Sequence, residues 1–520
     1  MKKRILLINP PYPMEESPSP PFGLMSLAGY LLEQGFDVRI DDYIVNPYSP
    51  ERAYASVADF HPDIIGSTGV TMNIKAALRI LKDYRDAAPE APIVMGGPHV
   101  SFDADNILKD HPYIDFIVRG EGELTSVELF QNCGATERYP SIRGISYRIG
   151  DAIFHNPARD FIQDINILPY PARHLVQLSK YKAMGLPLNM ITSRGCPYEC
   201  IFCVGAKMVG RRVRYFHIER VVDEFEMLAG MGFKQINIVD DLFTSNAKRC
   251  LAICEEIMRR GIRHTWTAFA RVDTISRELL QTMKAAGCSM LCFGIESGVQ
   301  EILDRVKKKT TLEKIEKALN LCREVGVVPM ASYIMGLPGE SPDTVRQTMS
   351  FAKKLCNSYG FHILAPFPGT EVREKAKEYG MTILTNDWDK YDANQSVCES
   401  KWISAAEIDR IVGEFNEGID RLIKSALVKY EKGETLSDDN LNMVRGIKSC
   451  DFTLRLIREG YVERFSSHNG NGANREAFVD YLAKESGMNR DFVADEVDRL
   501  LNLGCLKGLG GEEHSPVAWA

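Results

Sequence analysis

The chain has no apolar run approaching the roughly 18 residues that a membrane-spanning helix needs, so none of its segments reads as transmembrane. It also lacks the apolar core of a secretory leader. The run Ile5-Leu6-Leu7-Ile8 meets Asn9, Pro10 and Pro11 at once, which suits a first β-strand. Positive charge is not in surplus: the net charge is −7 over 520 residues, which argues against a general nucleic-acid binder. No G-x-G-x-x-G follows the first apolar run, so the usual nicotinamide or flavin dinucleotide turn is missing. No internal repeat is visible. Cysteine is scarce early on, since only Cys133 of the 13 cysteines precedes residue 190.

What is present is an ordinary globular composition, 45% apolar and 26% charged, long enough for roughly two to four domains. Thirteen cysteines without a secretory signal point to a reducing cytoplasm. Most of them fall on apolar faces. Cys250 and Cys254 recur with Leu251, Ile257 and Met258, and Cys322 with Ile315 and Leu319, as core residues do. Cys288 and Cys292 flank a predicted strand and read as packing.

Cys196, Cys200 and Cys203 are different. Their C-x3-C-x2-C spacing lies in Ser193-Arg194-Gly195-Cys196-Pro197-Tyr198-Glu199-Cys200-Ile201-Phe202-Cys203. Three thiolates can hold three irons of a four-iron cluster and leave the fourth iron open to a substrate. Zinc is the rival, but zinc sites pair C-x2-C with a second pair or with His, and the nearest His, His217, stands alone.

From residue 1 to about 135 short apolar runs alternate with amphipathic stretches. Predicted strands are Arg4–Asn9, Asp37–Ile40, Ile64–Ser67, Ile93–Gly96 and Phe116–Arg119, with helices between them. The alternation predicts a doubly wound α/β domain whose ligand lies beyond the carboxyl ends of the strands. The loops there suit a large flat ligand: Asn9-Pro10, Ser67-Thr68-Gly69-Val70-Thr71-Met72, Gly96-Gly97-Pro98-His99, and Gly120-Glu121-Gly122-Glu123. This pattern resembles the cobalamin-binding domain of cobalamin-dependent radical S-adenosylmethionine (SAM) enzymes. The chain has no D-x-H-x-x-G motif, so the resemblance implies cobalamin bound with no His on cobalt, His99 in a supporting role, and a residue near Val70–Met72 facing the lower side of the corrin.

After a linker at 141–184, strand–helix units repeat, with strands at Leu188–Thr192, Gln235–Val239, Thr265–Phe269, Met290–Gly294, Val328–Ile334 and Phe361–Leu364. They predict a partial (β/α)6 barrel over 185–380, with its site at the C-terminal strand ends. The Cys triad, Asp240-Asp241, Arg271, Glu296 and Gly336 all fall there. This part resembles the radical SAM superfamily. The resemblance implies that Cys196, Cys200 and Cys203 ligate a [4Fe-4S] cluster and that SAM binds its open iron. It further implies Asp240 or Asp241 on the SAM amine, Arg271 on the carboxylate, Glu296 on the ribose, and Phe202 and Gly336 beside the adenine. The activity implied is cobalamin-dependent methyl transfer to an unactivated carbon of a small-molecule or natural-product substrate, with hydrogen abstraction by a 5′-deoxyadenosyl radical and a flavodoxin- or ferredoxin-type electron donor. The alternative is cyclisation, rearrangement or oxidation without net methyl transfer. A tRNA methylthiotransferase would need a second early Cys cluster and a basic tail, and a mere cobalamin carrier would not need the triad.

Residues 381–520 read as a mostly helical domain that resembles a winged helix only loosely. Asn386–Tyr391 is expected to cover the barrel mouth. A helix over Ser404–Lys429 shows a stripe of Ile408, Ile411, Val412, Phe415, Ile419, Leu422 and Ile423, expected to pack in the core, with a dimer contact as the alternative.

Overall fold

In a computed structural model of the chain, the residues described are 2–12, 19–355, 358–469, 474–508 and 517–520. The N-terminal sheet has five parallel strands, β1 (Arg4–Asn9), β2 (Asp37–Asp42), β3 (Ile64–Thr68), β4 (Ile93–Gly96) and β5 (Phe116–Val118), in the order β2-β1-β3-β4-β5. Side chains alternate along β1. Ile5 and Leu7 face a layer with helices Phe22–Glu33 and Gly122–Gln131, while Leu6 and Ile8 face a layer with helix Ile74–Ala87. Burial on both faces is why β1, β4 and β5 read as apolar runs, whereas the edge strand β2 alternates polar and apolar residues. The strand order reverses between β1 and β3, which opens a crevice at the carboxyl edge there.

The stretch expected to be linker begins as part of this sheet. A hairpin of β6 (Ile145–Ile149) and β7 (Ala152–His155) adds antiparallel to β5, with Tyr147 opposite Phe116. Without it β5 would be an exposed apolar edge. The chain then runs back over the first helix, where Ala172 N donates to Met25 O at 2.8 Å. A Cβ on Gly29 would lie 2.5 Å from the Tyr170 carbonyl oxygen, so only glycine allows this crossing.

The second sheet is β8 (Leu188–Met190), β9 (Ile236–Ile238), β10 (Trp266–Ala270), β11 (Cys288–Glu296), β12 (Val328–Met335) and β13 (Ser358–Ile363), all parallel and in chain order. Along β12, Pro329, Ala331, Tyr333 and Met335 are buried, whereas Met330, Ser332 and Ile334 are half-exposed. One face is sealed by helices and the other opens onto a lumen. Cys292, in register with Phe269 and Met330, belongs to that lumen wall, while Cys288 is fully buried.

The helix Ala405–Glu431 is capped by Ser404 and docks on the barrel through Ile408, Ile411 and Val412, with Phe415 edge-on to Phe361. The expected core stripe stops there: Ile419 and Leu422 are 42% and 72% exposed. The remaining helices end in a two-stranded ribbon of Leu506–Lys507 and Ala518–Trp519. Lys180 fastens this end to the N-terminal sheet, pairing with Glu463 at 3.0 Å and donating to Val45 O at 3.2 Å. Among the described residues no helix is long and apolar enough to cross a membrane.

Gly29→Ala is therefore expected to destabilise the protein by about 1–3 kcal/mol through overpacking. Gly418→Ala, with nothing within 4 Å of the new Cβ, should stabilise it by up to about 1 kcal/mol. Urea unfolding of the two variants checks the contrast.

Candidate functional site

Asp240 and Asp241 follow β9 and do unlike things. Asp240 is 2% exposed, and its carboxylate accepts from the Thr192 N at 2.5 Å, the Ser193 N at 3.2 Å and both hydroxyls at 2.6 Å. It is spent on the exit of β8, with Arg249 beside it donating to Thr192 and Phe216. Asp241 is exposed at the rim, accepting from Gly195 N at 3.0 Å, with an oxygen 3.5 Å from where a Gly205 Cβ would stand. Of the expected pair, only Asp241 is placed to meet a ligand.

Beyond β8, Ser193-Arg194 pairs antiparallel with Arg214-Tyr215 and closes a loop that holds the three cysteines. Gly195 has φ 115°, and a Cβ there would strike the Arg212 carbonyl at 2.5 Å. Ile201 plugs the loop into the barrel: it is fully buried with Leu337, Leu364 and Val372, and Phe202 packs on the same cluster. Cys203 N donates to Cys200 O at 3.1 Å, and Gly205 N points at Cys203 Sγ at 3.3 Å. Loss of water around the sulfurs pushes all three thiols up, Cys203 to about 11, while Arg271 and Lys308 pull Cys196 and Cys200 back down. Metal binding would therefore have to displace protons. Among the described residues no three Cys, His, Asp or Glu groups converge as ligands of a single ion. A cubane takes one thiolate per iron, so one loop presenting three separated thiols beside two cations fits such a cluster.

Around the loop stand groups from the other strand ends. Arg271 lies 3.6 Å over the Tyr198 ring, bonds Asp273 at 3.0 Å and donates to Lys308 O at 2.6 Å. Glu296 ends β11 at a bulge with φ 69° and pairs with Lys308 at 2.7 Å, both buried. Gly294 makes room for that pair, since a Cβ there would stand 2.4 Å from Glu296 Oε1. Lys307 and Lys309 adopt φ 57° and 55°, and this turn directs Lys308 inward, while Lys307 pairs with Glu371 and Lys309 with Glu199. Lys308 was missed in the sequence, where the one available signal was the Lys307-Lys308-Lys309 run. Gly336 has φ 87°, and its N donates to the Glu340 carboxylate at 2.7 Å under Ile408 of the C-terminal helix. Burial pushes Glu340 up to about 8.

The glycine loops of the first sheet line a cavity of about 310 Å³ at its carboxyl edge, formed by Ser67, Thr68, Gly96, Gly97, Pro98, Gly120, Glu121, Gly122 and Glu123. Gly66, Leu24, Leu27, Ser126 and Phe130 also line it and were not foreseen. A glycine inside a strand was the signal for the first of these. Gly97 (φ 100°) cannot carry a Cβ, which would meet Thr68 Oγ1 at 2.7 Å. Gly69 N donates to Gly96 O, and His99 N to Gly69 O, so the loops after β3 and β4 are stitched together. His99 is buried behind the Val70–Met72 turn, 3.1 Å from Thr71 Oγ1, with Trp388 edge-on at 4.9 Å. Trp388 thus packs on the N-terminal loops. Met72 receives the Tyr12 hydroxyl at 3.3 Å. Asn9 does not face the cavity with its amide, which donates to buried Asp42 at 2.7 Å, and Pro10 follows half-buried. Glu121 and Glu123 line the cavity but are committed to arginines: Arg194 reaches Glu121 at 3.1 Å and Glu123 at 2.6 Å, and Arg214 reaches Glu121 at 2.9 Å. Arg194, Met208 and Val209 of the cysteine loop complete the wall. A glycine-lined cleft at the switch point, with no imidazole among the described residues that line it, suits the nucleotide tail of a corrinoid whose ring lies over the loops outside it.

Comparison with known proteins agrees with this geometry. The family model of the radical SAM superfamily matches residues 190–352, and that of the B12 binding domain matches residues 16–130. An uncharacterized methyltransferase of Pyrococcus horikoshii is 34% identical over 417 residues, 79% of this chain and 90% of that one. An anaerobic magnesium-protoporphyrin IX monomethyl ester cyclase of Rubrivivax gelatinosus is 29% identical over 79% of this chain and 76% of its own. The solved structure of the cobalamin-dependent SAM radical enzyme OxsB with aqua-cobalamin bound superposes with a TM-score of 0.70 at 19% identity, covering 96% of this chain and 79% of that one. The chain belongs to the cobalamin-dependent radical SAM enzymes, with a cobalamin-binding domain ahead of a radical SAM core.

Three outcomes follow. Asp240→Ala is expected to cost about 3–5 kcal/mol, because it leaves the Thr192 and Ser193 donors unpaired and the charge of buried Arg249 uncompensated. Asp241→Ala should leave stability within about 1 kcal/mol and instead weaken SAM binding, as urea unfolding and calorimetric titration would show. Glu340 carries a pH signature. Its folded pKa lies above the unfolded value, so below the unfolded value both states hold the proton, and stability falls as pH rises toward 8 and then levels. Glu340→Gln removes that slope, so the stability gap between variant and parent should drift in the variant's favour from pH 5 to pH 8.

Proposed function

We propose that this protein is a C-methyltransferase that replaces a hydrogen on an unactivated carbon of a small-molecule or natural-product substrate with a methyl group. The observation that carries the reading is the shared wall: the glycine-lined cavity of the first domain is completed by Arg194, Met208 and Val209 of the loop that bears the cysteine triad. On this reading the two cofactors would adjoin, as a reaction needing both a hydrogen acceptor and a methyl donor requires. Bound together, a [4Fe-4S] cluster, SAM and cobalamin supply hydrogen abstraction from an unactivated carbon and a transferable methyl group. The chain's part is placement. Cys196, Cys200 and Cys203 would hold three irons, and Gly205 N–H would bond the Cys203 sulfur. Arg271, oriented by Tyr198 and Asp273, would take the carboxylate of SAM. Asp241 would take its amine, the Glu296–Lys308 pair its ribose, and Phe202 with Gly336 its adenine. Phe269, Cys292, Met330 and Ile334 on the lumen face would seat an apolar substrate and keep water from the reacting carbon. A flavodoxin- or ferredoxin-type protein would supply the electron.

The second reading, ring closure without net methyl transfer, is favoured by the similarity to the protoporphyrin ester cyclase across 79% of the chain. Product mass separates the two.

Anaerobic protein reconstituted with iron, sulfide and hydroxocobalamin, then given SAM and dithionite, is expected to release 5′-deoxyadenosine. Cys200→Ala should release none. Equal release by that variant would refute the role of the triad, and a product lacking the added CH2 would refute methyl transfer in favour of the second reading.

A further inference from the structure

The base of the cysteine loop is a strand pair in which Arg194 stands directly opposite Arg214. Like charges facing each other across paired strands repel. Glu121 sits between them, one oxygen on Arg194 at 3.1 Å and the other on Arg214 at 2.9 Å. Glu123 takes the second nitrogen of Arg194 at 2.6 Å. All four side chains are at most 12% exposed, so the charges are weakly screened by solvent. The same Glu121 oxygen that meets Arg214 accepts from Ile162 N at 2.8 Å, and Arg214 also donates to Ile162 O at 2.6 Å and Val209 O at 2.6 Å. Neither carboxylate belongs to the barrel. Glu121 ends the loop after β5 and Glu123 lies in the first turn of the helix Gly122–Gln131 that follows, where Gly120 (φ 77°) and Gly122 line the cavity of the first domain. The cysteine loop thus owes the neutralisation of its own base to residues of the other cofactor's domain.

We infer that filling the glycine-lined cavity and ordering the cysteine loop form one coupled equilibrium, transmitted through Glu121 and Glu123. With the cavity filled, the loop after β5 is fixed, Arg194 and Arg214 are held together, and the thiols are presented for a cluster. With the cavity empty, the carboxylates are freer to leave and the two guanidinium groups push the loop base apart. Linkage makes the effect reciprocal, so a cluster in the loop tightens the cavity. The inference rests on the cofactor reading above and makes Glu121 a positioning residue for both centres.

The test is a thermodynamic cycle that needs no turnover. Hydroxocobalamin is titrated anaerobically, by its absorbance, into protein with and without reconstituted cluster. In the wild type the cluster should tighten binding about tenfold, within the range usual for coupled sites. In Glu121→Gln that ratio should fall to under about twofold, whatever the absolute affinity of either form. Hydrogen exchange on the unmodified, cluster-free protein gives a second reading that does not depend on the variant's folding. Hydroxocobalamin should slow exchange across residues 195–213 and leave the helix Ile218–Gly230 unchanged. Equal affinities in the two wild-type forms, an undiminished ratio in Glu121→Gln, or unchanged exchange in the loop would each overturn the coupling while leaving the cofactors in place. Failure of every form to bind hydroxocobalamin would overturn the cofactor reading and this inference together.

Discussion

One buried carboxylate sets the frame on which the rest depends. Asp240 takes both backbone N–H groups and both hydroxyls of Thr192 and Ser193, fixing where the chain leaves β8. Burial pushes its carboxyl up on balance, against the pull of the two hydroxyls, the Thr192 N–H and the nearby charge of Arg249. Because that exit is fixed, Arg194 points to the first domain, Gly195 turns under Asp241, and Ile201 reaches its slot beneath Leu337. The cysteine loop itself has little regular structure, so its geometry is borrowed from these anchors.

The second constraint is that two parallel sheets turn their carboxyl edges toward a common region. Parallel strands put their loops, and hence their chemistry, at that edge. In the first sheet the loops supply glycines and a cavity; in the second they supply thiols, an arginine–tyrosine stack and a buried acid–lysine pair. Segments from outside both sheets hold the edges in place. Trp388 leans on His99 of the first domain, Ile408 covers Gly336 of the second, and Lys180 ties the last helices to the β2 end.

Much of this was legible in the sequence because strands buried on both faces leave apolar runs, and loops at their ends leave glycines. The spacing of Cys196, Cys200 and Cys203 was equally plain. What could not be read was the assignment of charges. Asp240 and Asp241 are neighbours, and only the register of β9 against β8 decides which turns inward. Glu121 and Glu123 looked like ligand contacts among glycines, but their arginines lie 73, 71 and 93 positions away along the chain. Asn9 sat at the right loop, yet its amide answers the buried Asp42. The stripe of the helix Ala405–Glu431 was real in period but needed a partner surface, and the barrel offers one only as far as Phe415.

The central claim is spatial: a cluster in the cysteine loop and a corrinoid over the first sheet, brought together across Arg194. Anomalous diffraction at the iron and cobalt edges, from anaerobic crystals of the reconstituted protein, tests it most directly. The account predicts an iron peak bounded by Cys196, Cys200 and Cys203, and a cobalt peak against the loops after β3, β4 and β5. Iron at any other cysteines, or cobalt away from that sheet edge, would contradict it.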